Sequence, residues 1–543
     1  MNIFCQLTLV HLYQLCGLQK KSLILYHYRR SFDIKCSGRG DGVKYLAWIG
    51  GILLIFAATV YGVFFTPIGN SLIKPMVENK IREQTKLESK LTKFSLATSN
   101  FEIVLELNSN NIIKIKGDYS LFSRAFDFSY EVGLQKLESL EPFTLTALRG
   151  TLYTNGTVKG NMAFMKVDGK SDIGDSHTAY YVELTDLNPT SIIAKMKDAK
   201  LSSLLHTAAK NPYATADIDL EINFKNINPH MMDGDIVLKS KNGNIDPKYM
   251  KSDFNVTIPK TSFSMNLDAK LKGDNVDYNY NFASNLFKIV TSGRVVPEPL
   301  KTDIKYSLDI QEIEALKPII GADIRGALKL KGEAKGDKER LTVSGISDLA
   351  SSDTVFEAVL KDFELASLRA KIETLKIEKL LFMLKQPHYM DGLLFMNVEI
   401  GNAKDFTQNG AALNGQVANA RFEKNQIFDG VKEFAKVDMY KELFNGDINA
   451  KVYKDNILAS LNLRSAEASI KIKEAKINTK TKQIDSDITL QAKKNVLSAA
   501  LNGDIDAPRV SINLEEFMKT EAGKEVQEKI NKEVDKLLQK LLK

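Results

Sequence analysis

The six histidines are the residues best suited to metal or acid–base chemistry, and their spacing indicates neither. They are spread along the whole chain, at His11, His27, His177, His206, His230 and His388. None has a second ligand at the short spacing that is typical of a metal site. The sequence also contains no nucleophile elbow, Walker loop or dinucleotide-binding fingerprint. We therefore predict a protein that is not an enzyme, with no cofactor and no metal site.

The chain has 543 residues and a formal net charge of +7. This length exceeds what one hydrophobic core supports, so the protein must be elongated or divided into several domains. The excess positive charge is spread thinly as lysine, which favours an ordinary solvated surface over a nucleic-acid interface. Nucleic acid is therefore not an expected partner.

An uncharged segment runs from Tyr45 to Ile73. About 20 apolar residues are enough to cross a bilayer, and Trp48 and Tyr61 could anchor such a helix at the membrane interfaces. A cleaved signal peptide would have a shorter apolar run followed by a small-residue cleavage site. We therefore predict a retained transmembrane helix at residues 43–66.

Residues 1–42 differ from the rest of the chain. They hold all three cysteines, contain no methionine after Met1, and match no pattern that recurs later. We interpret them as a leader, and the hypothesis is that the start is mis-assigned and that the natural protein starts near Val43. Cysteine usage does not decide the compartment, because the remaining chain has no cysteine to oxidise.

A juxtamembrane helix is predicted at residues 67–93, and after it the hydrophobic period changes to two. Apolar residues alternate with Asp, Asn, Glu or Lys in segments such as 217–224, 262–271 and 303–310. Such alternation is typical of antiparallel strands with one apolar face and one solvated face. We predict that residues 94–514 form a long body of β repeats with short interspersed helices.

A degenerate repeat runs through this body. A glycine opens a strand at Gly150, Gly234, Gly326, Gly392, Gly446 and Gly503. Short helical segments precede strands at residues 201–210, 311–316 and 377–385. Because their spacing is irregular, the pattern indicates duplicated hairpin units with insertions and not a solenoid of fixed period.

The chain closes with a predicted amphipathic helix at residues 515–543. This segment contains seven lysines and seven acidic residues. A helix without net charge has no long-range attraction to anionic lipid, so docking on protein is the preferred interpretation.

The apolar face of such a body must be covered, and the sequence supplies few helices for that task. The strands could close into sandwiches or barrels. They could also form an open groove, where a bound acyl chain gains about 25 cal/mol for each Å² of apolar surface removed from water. The periodicity alone leaves both alternatives open.

The order of these parts resembles that of the bacterial AsmA-like proteins of the repeating-β-groove superfamily. The closest local similarity is Gly-Asp-Ile-Asp-Ala-Pro-Arg-Val-Ser at residues 503–511, which is similar to the Gly-x-Leu-x-x-Pro-x-Val ending of that family. Residues 94–200 depart from the usual N-terminal pattern. The resemblance implies a mostly β fold: an N-terminal transmembrane helix, a long, curved antiparallel β-groove and a C-terminal amphipathic helix.

The resemblance also implies a function. It places the body in the periplasm of a bacterium, anchored by one span in the inner membrane, with membrane phospholipids as partners and other envelope proteins reached through the C-terminal helix. The expected role is phospholipid transport between inner and outer membrane, or outer-membrane homeostasis. The alternative is an envelope scaffold or assembly protein with closed β domains that binds protein partners.

The alternation identifies the residues expected to line a lipid-carrying groove. They are Ile218, Leu220, Ile222, Phe263, Met265, Leu267, Tyr278, Tyr280, Ile304, Tyr306 and Leu308.

Overall fold

The computed structural model describes residues 67–532 except residues 109, 229, 404–409, 425, 506, 514, 516, 517, 522 and 530. The chain divides into two compact units, Met1–Leu300 and Lys301–Lys543. The described part is mostly β, as predicted, with 26 strands and few helices. The predicted leader at residues 1–42 and the predicted transmembrane helix at residues 43–66 lie outside the described residues.

Within the described part of the chain, none of the helices combines the length and the apolar character needed to cross a membrane.

The first unit contains thirteen strands, each paired antiparallel with the next along the chain. The strands are β1 (Ser89–Leu96), β2 (Asn100–Leu107), β3 (Asn111–Tyr119), β4 (Phe126–Leu134), β5 (Leu152–Gly160), β6 (Phe164–Ser171), β7 (His177–Thr185), β8 (Asn188–Lys200), β9 (Ala214–Asn226), β10 (Asp233–Ile245), β11 (Thr261–Lys272), β12 (Asn275–Ser284) and β13 (Phe287–Val296). From residue 67 onward, where this unit is described, the helices are α1 (Pro67–Thr85), α2 (Glu141–Thr144), α3 (Leu201–Thr207) and α4 (Pro247–Phe254), with 3₁₀ turns at Leu137–Leu140 and Ile173–Asp175.

The second unit also contains thirteen strands with the same sequential antiparallel pairing. The strands are β14 (Lys301–Ile310), β15 (Leu328–Asp337), β16 (Leu341–Ser347), β17 (Asp353–Lys361), β18 (Glu364–Lys376), β19 (Met390–Ile400), β20 (Ala411–Phe422), β21 (Phe444–Tyr453), β22 (Asn456–Arg464), β23 (Ala468–Asn478), β24 (Gln483–Ala492), β25 (Asn495–Asp504) and β26 (Arg509–Ile512). Among the described residues of this unit the helices are α5 (Lys317–Ile320), α6 (Ile377–Met383) and α7 (Gln426–Ala435), with a further helical stretch at residues 523–529 and 3₁₀ turns at Ile313–Leu316 and Leu349–Ser351.

The period-2 pattern explains why these segments are strands. In β11, Leu267 and Leu271 are buried while Asp268 and Lys270 between them are exposed. Successive side chains of a strand point to opposite faces, so each such strand presents one apolar and one polar face. The alternation therefore predicts both the strands and the side to which their apolar residues point.

Helix α1 packs on the first strands of the first unit. It begins at Pro67 but ends at Thr85, earlier than the predicted residue 93, because residues 89–96 form β1. Its apolar side chains join a core in which Leu91 is fully buried. The helix also binds the backbone of β1, since a Glu78 carboxylate oxygen accepts the Leu91 N–H at 2.7 Å.

The two units share an internal duplication with a constant offset. The elements from β4 to β9 recur as β14 to β19, and each begins 176 positions later to within one residue. We name residues 126–226 copy 1 and residues 302–402 copy 2. The irregular spacing expected from the sequence is therefore wrong for this part of the chain, because the segment at residues 311–316 corresponds to Leu137–Leu140 and not to α3.

Details of the backbone repeat as well. The Tyr153 N–H donates to an Asp172 carboxylate at 2.7 Å, and at the equivalent place the Lys329 N–H donates to Asp348 at 2.6 Å. Left-handed residues also recur, as at Asp198 and its equivalent Thr374 (φ 55° and 54°). The two copies thus have the same local fold, including its turns.

The predicted C-terminal helix at residues 515–543 is described only in part. Residues 523–529 are helical, and residues 533–543 lie outside the described residues.

The contrast between the sealed core and the rest of the sheet predicts different costs of truncation. Leu91→Ala should lower the free energy of unfolding by about 2–5 kcal/mol, since it opens a cavity in a closed core. Leu220→Ala, at a half-buried position of β9, should lower the free energy of unfolding by clearly less, because neighbouring side chains and water fill the space that the substitution leaves. Urea unfolding followed by circular dichroism measures the free energy of unfolding of both variants. Equal losses would contradict a fully buried core under α1 and a partly exposed face at β9.

Candidate functional site

The candidate site of the first unit is the apolar face of β8 to β13, here called the unit 1 face. Residues that pair across antiparallel strands point to the same side. Five side chains meet in this way in one register row, Ala194, Ile222, Ile236, Ala269 and Tyr278. The next row contains Met196, Leu220, Leu238, Leu267 and Tyr280, and the row after that contains Ala199, Ile218, Ser240, Met265 and Phe282.

The unit 1 face brings together all eight lining residues predicted in this unit. Phe263 joins the others because it pairs with Gly243 on β10 and Ser284 on β12. Six strands at about 4.8 Å spacing make the face about 24 Å wide. Whether these residues contact lipid stays a prediction.

Part of the unit 1 face is less covered than the core under α1. Of the predicted lining residues, Ile218, Leu267 and Tyr278 are buried, almost like Ile113 beside α1, but the others remain half-buried: Leu220, Ile222, Phe263, Met265 and Tyr280. Burial raises the pKa of the Tyr280 hydroxyl to about 12. The face is thus apolar enough to disfavour charge, and its half-buried side chains can be reached from outside.

The opposite face of the same strands is charged. Lys200 pairs with Asp217 at 2.6 Å, and Arg294 pairs with Asp277 at 2.7 Å. Exposed ion pairs of this kind contribute little stability, on the order of 0–1 kcal/mol each. Their role is to keep this side in water, which fixes the direction in which the apolar side chains point.

The second unit places its three predicted lining residues on one face of β14, the unit 2 face. Ile304 pairs with Ala334, and Leu308 pairs with Leu330. Tyr306 lies between them and pairs with Gly332. All three lining residues are half-buried, so this face is open to about the same degree as the unit 1 face.

A row of tyrosines and glycines crosses the apolar side of copy 1. Tyr130, Gly156, Gly169 and Tyr180 pair in sequence from β4 to β7. The two glycines leave space for the rings, whose hydroxyl oxygens lie 2.6 Å apart. Thr154 lies 2.5 Å from the Tyr180 hydroxyl and donates to the Lys170 carbonyl at 2.8 Å.

This row places polar atoms on an otherwise apolar surface. Burial, followed by the hydrogen bond with Tyr180, raises the pKa of Tyr130 well above its usual range. The hydroxyls satisfy one another, so the row can be half-buried without an unpaired polar group.

Copy 2 has the same row with fewer hydroxyls. Tyr306, Gly332, Gly345 and Phe356 occupy the equivalent positions from β14 to β17. The Tyr306 hydroxyl donates to the Ser344 carbonyl at 3.2 Å, and burial raises its pKa to about 12. Sequence reasoning selected Tyr306 but missed the rest of both rows, although the matched Tyr–Gly–Gly spacing was available as a signal.

One group of possible metal ligands was also missed. His388 Nε2 lies 2.6 Å from a carboxylate oxygen of Asp391, and Glu423 brings a third ligand atom within 4.8 Å of the other two. The expectation that His388 has no second ligand is therefore wrong. Asp391 is only three residues away, and pairing of β19 with β20 brings Glu423 to the same place.

Comparison with known proteins gives no relative. No protein-family model, no curated protein and no solved structure matches this chain.

The glycine rows predict matched effects in the two copies. A Cβ on Gly156 would lie 2.1 Å from the Asp168 carbonyl oxygen, and one on Gly332 would lie 1.9 Å from that of Ser344. Gly156→Ala and Gly332→Ala should each destabilise the protein by about 1–3 kcal/mol through overpacking. Gly401→Ala is the control, because its Cβ would have no neighbour within 4 Å.

Thermal unfolding measures all three variants. If Gly156→Ala and Gly332→Ala leave the stability unchanged, or if Gly401→Ala destabilises the protein as much, the close packing of the glycine rows is contradicted.

Proposed function

We propose that this protein is a membrane-anchored carrier of phospholipid in the bacterial envelope, whose acyl chains bind the unit 1 and unit 2 faces. A helix at residues 43–66 holds it in the inner membrane, and the β body extends into the periplasm as a curved groove. The C-terminal helix at residues 515–543 docks on other envelope proteins. Transport between inner and outer membrane, or outer-membrane homeostasis, is the role that this arrangement serves.

The observation that carries the proposal is that apolar side chains on both faces, among them Leu220, Met265 and Tyr306, are only half-buried. Each buried CH₂ group contributes about 0.8 kcal/mol, so covering the face with an acyl chain is favourable. The unit 1 face carries no charged side chain in its three central rows. A charged ligand group would lose its hydration there without gaining a partner, which favours the uncharged acyl part of a lipid.

The resemblance to AsmA-like proteins supports the same function. It rests on the order of the parts and on the segment at residues 503–511. The described fold agrees with it in its coarse features, a long antiparallel β body with few helices.

The second candidate is an envelope scaffold that acts through protein partners. The sealed core under α1 favours it locally, since Leu91 and Ile113 there have no access to a ligand. If the faces of both units were covered in the same way by a protein partner, no lipid would be needed.

Charge placed on the unit 1 face tests the proposal. Ile222→Asp combined with Met265→Asp should abolish lipid co-purification. A carboxylate on this face would lose its hydration against a bound acyl chain and gain no partner in return. The measurement is lipid extraction from the purified protein followed by mass spectrometry. The matched control is Asn223→Asp combined with Asn266→Asp, which adds the same charge to the exposed side of the same two strands.

The control should fold and retain lipid at the wild-type level. Circular dichroism must show that the face variant is folded too. A folded face variant that keeps its lipid, or a wild type that carries none, would contradict lipid binding and leave the scaffold as the better account.

A further inference from the structure

The junction between α6 and β19 in copy 2 has side-chain chemistry that its equivalent in copy 1 lacks. Both junctions share one backbone contact: the Glu423 N–H donates to the Tyr389 carbonyl at 2.8 Å, and the Asp246 N–H donates to the Tyr213 carbonyl at 2.8 Å. This contact makes Glu423 the equivalent of Asp246. The two junctions can therefore be compared residue by residue.

The equivalent junction of the first unit, between the start of β9 and α4, is held by direct hydrogen bonds. The Asn211 amide and the Tyr213 hydroxyl both donate to the Asp253 carboxylate, at 2.7 and 2.8 Å. The Asp246 carboxylate accepts the Lys248 N–H at 2.9 Å and so caps α4. Every carboxylate at this junction has a protein donor.

At the equivalent junction the second unit carries three potential metal ligands. His388 stands where copy 1 has Pro212, and Asp391 stands where it has Thr215. One ligand atom each from His388, Asp391 and Glu423 lies within 4.8 Å of the others, with His388 and Asp391 2.6 Å apart. Ligands of a tetrahedral zinc ion with bonds of about 2.0–2.1 Å lie about 3.3 Å apart, so small side-chain adjustments would complete such a site.

The ligands are held by different parts of the same hairpin. His388 precedes β19, Asp391 is the second residue of β19, and Glu423 directly follows β20. The β19–β20 register, in which Met390 pairs with Phe422, fixes the distance between them. This backbone frame lowers the entropy cost of assembling the site.

We propose that His388, Asp391 and Glu423 bind a divalent metal ion, which ties the start of β19 to the end of β20. One imidazole and two carboxylates suit Zn²⁺ better than Mg²⁺ or Ca²⁺, which prefer all-oxygen sites. The ligands are exposed or half-buried, so water completes the coordination. The metal performs the bridging that Asp253 performs at the equivalent junction of the first unit.

Titration of the full chain with Zn²⁺ in a calorimeter tests this site. His388→Ala and Glu423→Gln should each lose one equivalent of bound zinc relative to the wild type. Comparison with the wild type is needed because the chain has three cysteines outside the described residues, and these can bind zinc on their own. Glu423→Gln keeps the shape of the side chain and so separates metal loss from misfolding.

The matched control is His230→Ala. His230 also pairs with a carboxylate, that of Asp274 at 2.7 Å, but the pair has no third ligand among the described residues. This variant should bind as much zinc as the wild type. Zinc should also raise the thermal midpoint of the wild type and of His230→Ala more than that of the other two variants.

An unchanged zinc stoichiometry in both His388→Ala and Glu423→Gln would overturn the proposal. An equal loss in His230→Ala would overturn it too, because it would show that any exposed His–carboxylate pair suffices.

Discussion

The structure depends on one constraint: a strand of alternating residues produces an apolar face that must be removed from water. Each antiparallel strand sends successive side chains to opposite sides, so twenty-six such strands generate a large amount of apolar surface. In the first unit, α1 covers the strands nearest to it and buries Leu91 completely. Strands β8 to β13 bury Ile218 and Leu267 but leave Leu220, Ile222 and Met265 half-buried. These partly covered side chains are the basis of the proposed function.

The duplication shows how such a chain can lengthen without a larger core. Copy 1 and copy 2 repeat the same strands, turns and 3₁₀ segments with a constant offset. Each strand needs only its two neighbours for hydrogen bonding, so stability in such an array is largely local. Side chains can then differ between the copies. Phe356 of copy 2 stands where copy 1 has Tyr180, and His388 stands where copy 1 has Pro212.

Much of the fold could be predicted because period-2 alternation is visible in a short run of consecutive residues. The segments at residues 217–224 and 262–271 both became strands, with their apolar residues on one face. Duplicated hairpin units were predicted, but their constant offset was missed, because the segment at residues 311–316 does not occupy the position that residues 201–210 and 377–385 share. The extent of α1 was also overestimated, since Leu87 continues the helical pattern of Met76 and Ile81 but belongs to the turn into β1.

The sites depend on contacts that local patterns do not contain. Lining residues follow from alternation, yet whether a face is open depends on which helices pack on it. The His388 group needed the β19–β20 register to bring Glu423 close. Sequence spacing can find ligands on one turn or one strand, but it cannot find ligands that strand pairing brings together.

The central claim is that the unit 1 face meets lipid, and photo-crosslinking in the native membrane tests it most directly. A photoreactive amino acid at position 265, on the face, is compared with one at position 266, on the exposed opposite side of the same strand. The account predicts phospholipid adducts from position 265 and none from position 266. Protein adducts alone from position 265, or equal lipid labelling at both positions, would contradict it.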